Sequence, residues 1–394
     1  MIEFVLSDEQ RQVRDTIRRF VENEIMPFES VLIRREIEGG HGASPGLTGG
    51  EMRALQQKAQ ALGFWGIDLP SEYGGADLDP VTQALIHEEL GRSIVDFQFG
   101  GSVLPALFSC DEAQKDTYLL PTIQGERVSC IAISESGSGS DAKAMRTTAV
   151  RDADGWVING EKTWITRGDI ADYVILFART PNEGDPNGIT CFLVDRDAGW
   201  TSAPIPVMGS RDKIGSLFFN DVRVPGTAVL GTINRGFDHA MPFIYRNRAF
   251  VLSAKNLGAM TRMIELTLEW AKGRKVFGKL LADRDNIVQA VAELELELRS
   301  SKLMVYHAAA KAAQGGDYRH EACTVKAYVA RAANRVADRA LQIHGAMGYA
   351  KESVVERWYR DLRVERIYDG SDEVNLANVA RNLFRRYARP GDMF

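Results

Sequence analysis

Gly137-Ser138-Gly139-Ser140-Asp141-Ala142, followed by Thr147-Thr148-Ala149-Val150-Arg151-Asp152-Ala153-Asp154-Gly155, is the stretch on which the fold turns. The first run fits GxGxxA and follows the strand-like Cys130–Ser134, which suggests a Rossmann dinucleotide site. That site requires a helix immediately after the glycines, with its N-terminus facing a pyrophosphate. Here threonines, Val150 and a hairpin turn follow instead, so the surroundings read as β-structure. A small-residue loop with exposed N–H groups and two serines remains a cradle for an anion or a flavin.

Working outward, further strand-like segments are Val128–Ser134, Arg146–Val150, Trp156–Ile158, Thr163–Thr166, Tyr173–Ala178, Ile189–Val194 and Leu217–Phe219. Asp152-Ala153-Asp154-Gly155 and Asn159-Gly160 read as turns between them, so the spacing predicts antiparallel hairpins in a small barrel or sandwich. The segments on either side are helical. Ser7-Asp8-Glu9-Gln10 is a capping-box pattern, and Val13, Ile17, Phe20, Val21 and Ile25 recur at helical spacing until Pro27. Residues 36–50 hold six glycines and a proline and read as a loop. Helical patterns resume over Met52–Leu62 and Pro80–Leu90. After Gly231, Val288, Val291, Leu294, Leu298, Val305 and Ala308 trace one apolar face, and Val325, Val329, Ala332, Val336, Ala340 and Ile343 trace another, as in a bundle. The fold class is α+β in the order α, β, α. The expected domains are a helical one over 1–124, a β-domain over 125–231 and a helical bundle over 232–394.

At 394 residues the chain has length for two or three domains. A formal charge of −5 argues against a general nucleic-acid surface. Cys110, Cys130, Cys191 and Cys323 are scattered without metal-ligand or disulfide spacing, which fits a reduced cytoplasmic setting. The longest charge-free apolar stretch, Phe97–Cys110, is broken by Gly100, Gly101 and Pro105 and is too short to span a bilayer. His87-Glu88-Glu89-Leu90 lacks the second histidine of a zinc helix, and no GxSxG elbow occurs, so no metal is expected. Arg246, Arg248, Lys272, Arg274 and Lys275 form a basic group that reads either as a solvated face or as a phosphate site. Near the end, Arg366-Ile367-Tyr368-Asp369-Gly370-Ser371-Asp372-Glu373 places a carboxylate in a turn. Ser371 reads as the N-cap of the following helix.

Several runs together resemble the acyl-coenzyme A dehydrogenase family: Ala132-Ile133-Ser134-Glu135 with Ser140-Asp141; Gly160-Glu161-Lys162-Thr163-Trp164-Ile165-Thr166; and Leu217-Phe218-Phe219-Asn220-Asp221-Val222-Arg223-Val224-Pro225. Arg274-Lys275-Val276-Phe277-Gly278-Lys279, Gln342-Ile343-His344-Gly345-Ala346-Met347-Gly348-Tyr349 and Ile367-Tyr368-Asp369-Gly370-Ser371 continue the series in register, over about residues 5 to 389. The resemblance implies an N-terminal helical domain, a middle antiparallel β-barrel or sandwich and a C-terminal four-helix bundle. It also implies FAD bound without a Rossmann unit, and a homo-oligomer, a dimer of dimers, in which a neighbouring subunit lends part of each FAD site.

By the same resemblance, Ile133, Ser134, Ser140, Trp164, Thr166, Ser371 and Glu373 contact FAD within the subunit. Arg274 and Phe277 reach the adjoining subunit's FAD, and Gln342 and Gly345 match the run that holds the ADP half of FAD. Ser140, Arg248, Tyr368 and Gly370 lie along the acyl-CoA. Asp369 is the base that takes the α-proton of the thioester while the β-hydride passes to flavin N5, and the electrons leave to an electron-transfer flavoprotein. The family's usual base in this turn is Glu, so this arm is roughly 1.5 Å shorter, one carbon–carbon bond. Either the substrate then sits closer, as a branched, cyclic or hydroxylated acyl group would, or turnover is slow. The bundle position that carries the base in other branches matches about Asn247, which has no carboxylate. Ser136, Arg167 and Val276 replace a common proline, asparagine and threonine. The alternatives are an enoyl thioester reductase or an acyl-CoA oxidase on the same scaffold, or a flavoprotein retired from catalysis that serves as a structural subunit. Burial should raise the Asp369 pKa and the nearby helix end should lower it; the sequence does not decide between them.

Overall fold

The computed structural model describes residues 6–39, 46–67, 69–100, 103–185, 187–209 and 214–392. The first helix, α1 (Asp8–Phe20), starts where the capping box predicts it. The Ser7 hydroxyl accepts from the Gln10 amide at 3.0 Å, and the Gln10 side chain accepts from the Ser7 amide at 3.1 Å. Pro27 does not stop the chain, contrary to the expectation. A π-helical turn (Val21–Ile25) and a 3-10 turn (Met26–Phe28) lead on into α2 (Glu29–Gly39). Pro27 sits at the start of the 3-10 turn, where a missing N–H breaks no helical bond. The glycine-rich stretch is shorter as a loop than expected. Its first residues finish α2 and Gly49–Gly50 open α3 (Gly49–Ala61), while 40–45 lie outside the described residues. Asp79 caps α4 (Pro80–Leu90) by accepting from the amides of Val81 and Thr82.

The middle region is one eight-stranded sheet: β1 (Ser129–Ala132), β2 (Thr148–Asp152), β3 (Gly155–Thr166), β4 (Tyr173–Arg179), β5 (Ile189–Asp195), β6 (Thr201–Pro204), β7 (Ile214–Pro225) and β8 (Val229–Leu230). Its order is β6-β7-β3-β2-β4-β5-β8, with β1 beside β4. The sheet is mixed, not wholly antiparallel, because β1 runs parallel to β4. Parallel neighbours need a long connection, and the β2–β3 hairpin supplies it here. Asn159-Gly160 is likewise no turn. It falls at a register shift inside the continuous β3, opposite β7.

The run Tyr173–Ala178 is apolar at every position because both faces of β4 are covered. Val174, Leu176 and Ala178 enter one core with Trp156, Leu217 and Phe219. Tyr173, Ile175 and Phe177 enter another with Leu107, Leu119 and Ala240, which belong to flanking helical segments.

The C-terminal region holds α5 (Phe237–Arg246), a π-helical bulge (Asn247–Val251), α6 (Leu252–Gly273), α7 (Asp285–Ala313), α8 (Arg319–His344), α9 (Val354–Asp361) and α10 (Asp372–Phe384). The second apolar stripe is buried throughout, but Val288 of the first is 55% exposed. Ala290 takes its place in the core, because the face that meets the other helices rotates away from the helix start. Among the described residues no helix is long and apolar enough to cross a membrane, and no group of three or more His, Cys, Asp or Glu could hold a metal ion.

Candidate active site

Asp369 lies in the turn between the 3-10 turn Leu362–Arg366 and α10. Its backbone is left-handed, with φ 53°, a conformation Asp tolerates better than most residues. Side chains hold the turn in this shape. Arg248 Nε, from the π-bulge, donates to the Asp369 carbonyl at 2.6 Å. Lys326 Nζ, from α8, donates to the carbonyls of Glu365 and Tyr368. Asn375 Nδ2 donates to the carbonyls of Gly370 and Ser371 at 2.7 and 3.1 Å. Gly370 is a steric necessity: a Cβ there would lie 2.5 Å from Arg248 Nη2. Ser371 caps α10 by accepting from Val374, as its position predicts.

The Asp369 Oδ2 atom is buried and has no hydrogen-bond partner in the protein. Burial pushes the carboxyl pKa up to about 6, against the pull of Arg248 and Lys326 and with the push of Glu365. The direction left open by the sequence is thus upward, and the groups opposing burial are the two cations Arg248 and Lys326. A proton acceptor must be ionised, so a reaction that used this carboxyl as its base would rise with pH through about 6 and level off above it. Single-turnover rates from pH 5 to 8 would measure this.

A second group forms at the end of β1. Lys162 Nζ, fully buried on β3, donates to the Ile133 carbonyl at 2.9 Å and to Glu135 Oε1 at 2.8 Å. Glu135 also accepts from the amides of Arg146 (2.6 Å) and Thr147 (2.9 Å). Burial raises the Glu135 pKa, but these donors outweigh it and leave the carboxyl below its usual value. Burial lowers Lys162 to about 8. The pair remains charged at neutral pH. The Thr163 amide donates to the Ser134 carbonyl at 2.9 Å, so Ile133 and Ser134 lie against the strand that carries Trp164 and Thr166. Trp164 is 58% exposed, with φ 62°. Ser140 is exposed beyond this edge.

The third group lies where α6 ends. Trp270 stacks on His344 with ring centroids 5.4 Å apart, and the Arg274 guanidinium carbon lies 5.9 Å from the Trp270 ring. This brings Arg274 to the end of α8, where Gln342 and Gly345 are exposed. Phe277 is 93% exposed, with φ 48°. Three residues singled out from sequence (Trp164, Phe277 and Asp369) thus share a left-handed backbone that non-glycine residues seldom adopt, and such outliers cluster at functional sites. The basic group read from sequence does not hold together. Arg246 bonds Gln83 Oε1 and Arg248, expected near a CoA groove, is buried beneath the base turn. Lys272, Arg274 and Lys275 are exposed at the far end of α6. Glu373 is exposed, and a backbone bond and the Ser371 hydroxyl lower its pKa.

Sequence reasoning missed three features. One is the Glu135–Lys162 pair, both of whose members stood inside quoted runs. Another is Lys326, whose only signal was a cation on an apolar stripe. The last is a cavity of about 170 Å³ whose walls include Gln98, Phe99, Phe108, Phe243, Arg246 and Asn247. It draws on segments far apart in sequence, and Asn247 is the chain neighbour of the arginine that clamps Asp369.

Residues 7–126, 130–222 and 234–384 match, in turn, the N-terminal, middle and C-terminal domains of acyl-CoA dehydrogenase. The chain belongs to the acyl-CoA dehydrogenase family. Relatives in this family include (R)-benzylsuccinyl-CoA dehydrogenase of Thauera aromatica, 34% identical, with 97% of each chain covered. A subunit of the caffeyl-CoA reductase–Etf complex of Acetobacterium woodii is 32% identical, over 96% of this chain and 99% of the other. The crystal structure of an acyl-CoA dehydrogenase from Geobacillus kaustophilus superposes with a TM-score of 0.85 at 30% identity, covering 97% of this chain and 100% of that one. As a member of the acyl-CoA dehydrogenase family, the chain is an oxidoreductase, and the family's cofactor is FAD. The residues present fit that group. Trp164 offers an exposed aromatic face beside the Ser134 and Thr166 hydroxyls, and a Cβ at Gly345 (φ 63°) would meet nothing within 4 Å.

Proposed function

We propose that this acyl-CoA dehydrogenase family member removes the α-proton of an acyl-CoA thioester with Asp369 as base, coupled to α,β-desaturation. The observation that carries the reading is the Asp369 carboxyl, with a buried oxygen that no protein group occupies, on a turn clamped from both sides. Bound FAD supplies the acceptor for the two electrons. The chain's own part is to fix the thioester, exclude water and hold the α-proton at Asp369 once abstracted. Ile133, Ser134, Trp164, Thr166, Ser140, Ser371 and Glu373 form the FAD site within the subunit. Arg274, Phe277, Gln342 and Gly345 serve the site of an adjoining copy, in a dimer of dimers. The near-complete exposure of a large aromatic at Phe277 supports such a neighbour. Tyr368, Gly370 and Ser140 bound the acyl-CoA path, and Arg248 supports it from beneath the Asp369 turn. Reduced enzyme passes its electrons to an electron-transfer flavoprotein, a reading supported by the Etf complex of the Acetobacterium relative. Four buried free cysteines suit a reducing, cytoplasmic setting.

The cavity narrows the acyl group. A dry engineered cavity of about 150 Å³ holds benzene, so about 170 Å³ suits a ring or a short branched chain. Phenylalanines alongside Gln98 and Arg246 favour an aryl or polar-ended acyl group, which also agrees with a base one methylene short. The test is anaerobic mixing of holoenzyme with a panel of acyl-CoAs while flavin absorbance is followed. Aryl and short branched thioesters are expected to bleach the flavin at least tenfold faster than palmitoyl-CoA. No bleaching by any member would leave a structural flavoprotein. Oxygen uptake during turnover would mark an oxidase.

The reverse direction uses the same groups, because the carboxyl that takes the α-proton can return it. A relative named a reductase favours testing it. Reduced enzyme reoxidised by an arylacrylyl-CoA faster than by an electron-transfer flavoprotein would identify a reductase.

A further inference from the structure

We infer that Lys326 is a positioning residue for the base, holding the Asp369 turn in place and keeping its carboxylate ionisable through charge. This rests on Asp369 being the base. Lys326 sits on the buried stripe of α8 between Val325 and Val329 and is 1% exposed. Its ammonium donates to the carbonyls of Glu365 and Tyr368 and lies 5.4 Å from the Tyr368 ring. An ammonium so deeply buried is costly where its hydrogen-bonded acceptors are neutral carbonyls. Burial accordingly lowers its pKa, against the pull of Glu365, Asp369 and Asp372 and together with the push of Arg248. An apolar residue would fill the same stripe at less cost, so packing alone does not explain a lysine there.

The turn explains it. Two cations from different elements reach the backbone on either side of one carboxylate: Lys326 from α8 takes residues 365 and 368, and Arg248 from the π-bulge takes residue 369. Glu365, bonded by the Tyr368 hydroxyl at 2.9 Å and by Asn256 Nδ2 at 3.2 Å, supplies the opposing negative charge. Asp372, the next carboxylate along, is taken up by Arg331 and Arg366 at 2.9 and 2.8 Å. Arg248 and Lys326 are therefore the two cations whose charges favour ionised Asp369. Without Lys326 the carboxyl should ionise only at higher pH, and the left-handed turn should lose two of its ties.

The experiment compares Lys326→Met, Lys326→Gln and Lys326→Arg holoenzymes, each normalised to bound FAD. Flavin reduction by 3-phenylpropionyl-CoA and butyryl-CoA is followed from pH 5 to 9. Lys326→Met should move the acid limb upward by about one pH unit, the low end of what an opposite charge within ~4–6 Å does to a carboxyl. Its kcat should fall roughly 10²-fold, as a displaced reactive group implies, with KM within a few-fold. Lys326→Gln keeps a donor without the charge, so it should shift the limb with a smaller loss of kcat. It also serves if the methionine variant does not fold. Lys326→Arg should keep the limb where the native protein has it. A limb that stays in place in both the methionine and glutamine variants overturns the inference. Bleaching retained by Asp369→Asn would overturn the base reading itself, a separate result.

Discussion

Asp369→Asn should abolish substrate-induced bleaching while the protein stays folded and yellow. The carboxyl is the proposed proton acceptor at this turn, and loss of a positioned general base typically costs 10²–10⁴-fold. Asn keeps the volume and can keep the left-handed backbone. The Arg248, Lys326 and Asn375 bonds go to backbone carbonyls, so they survive the change. Stability provides the control. Raising a carboxyl from 3.8 to about 6 means that the fold holds about 3 kcal/mol against its charged form. The folded-state pKa lies above the unfolded one. That cost is therefore absent below pH 3.8, grows between 3.8 and about 6, and is complete above. The Asn variant should resist urea at pH 7 at least as well as the native protein, with the advantage gone near pH 4. A variant that loses bleaching and also unfolds earlier at pH 7 would show that the carboxyl holds the turn together, not that it takes the proton. Full activity in the variant would remove Asp369 from the chemistry.

The fold was legible where local chemistry and period agree. Ser7 and Gln10 form the capping box that their spacing announced, and Ser371 caps α10. The α8 stripe is buried at each position named, because a helix packed against α5, α6, α7, α9 and α10 repeats its inner face without interruption. Misreadings came where non-local pairing overrode a local signal. Asn159-Gly160 has turn chemistry, yet β7 pairs along both sides of it and absorbs it as an irregularity in one long strand. Parallel pairing of β1 with β4 leaves no trace in the composition of either strand.

Of the site, the Asp369 turn could be seen because its turn residues and cap are contiguous. Its two clamping cations could not. Arg248 and Lys326 lie 121 and 42 or fewer positions away from the carbonyls they hold, and nothing local says that a charge on a helix is buried. The pKa contest was equally out of reach. Burial is a property of the assembled domains, and here it outweighs the two cations, Arg248 and Lys326, that the fold brings to the turn.

Lys162→Met should be the most destabilising single change at the end of β1. It leaves Glu135, 6% exposed, charged and without its cation, and breaking a buried pair from one side costs about 3–5 kcal/mol. The Ile133 carbonyl also loses its donor, which frees the end of β1 that is proposed to meet FAD. The arrangement predicts its own rescue. Glu135→Gln removes the stranded charge, but its single amide oxygen can replace only one of the two carboxylate oxygens that the Arg146 and Thr147 amides use, so one of these amides loses its acceptor. The double variant Glu135→Gln, Lys162→Met should still recover part of the lost stability, because neither partner then buries a charge, and the one amide left without an acceptor costs less than a stranded carboxylate. Chain size and the bound cofactor make a single unfolding free energy ill-defined, so the readouts are the urea midpoint followed by tryptophan fluorescence and the rate of FAD loss on dilution. The single variant should move both, and the double should return both towards the native values. If the double variant proves as unstable as the single one, the pair acts through the shape of the methylene stem and not through compensated charge. The stem reading would then predict that Lys162→Arg, which keeps the charge but not the fit, fails as badly as Lys162→Met, whereas the charge reading predicts a milder defect.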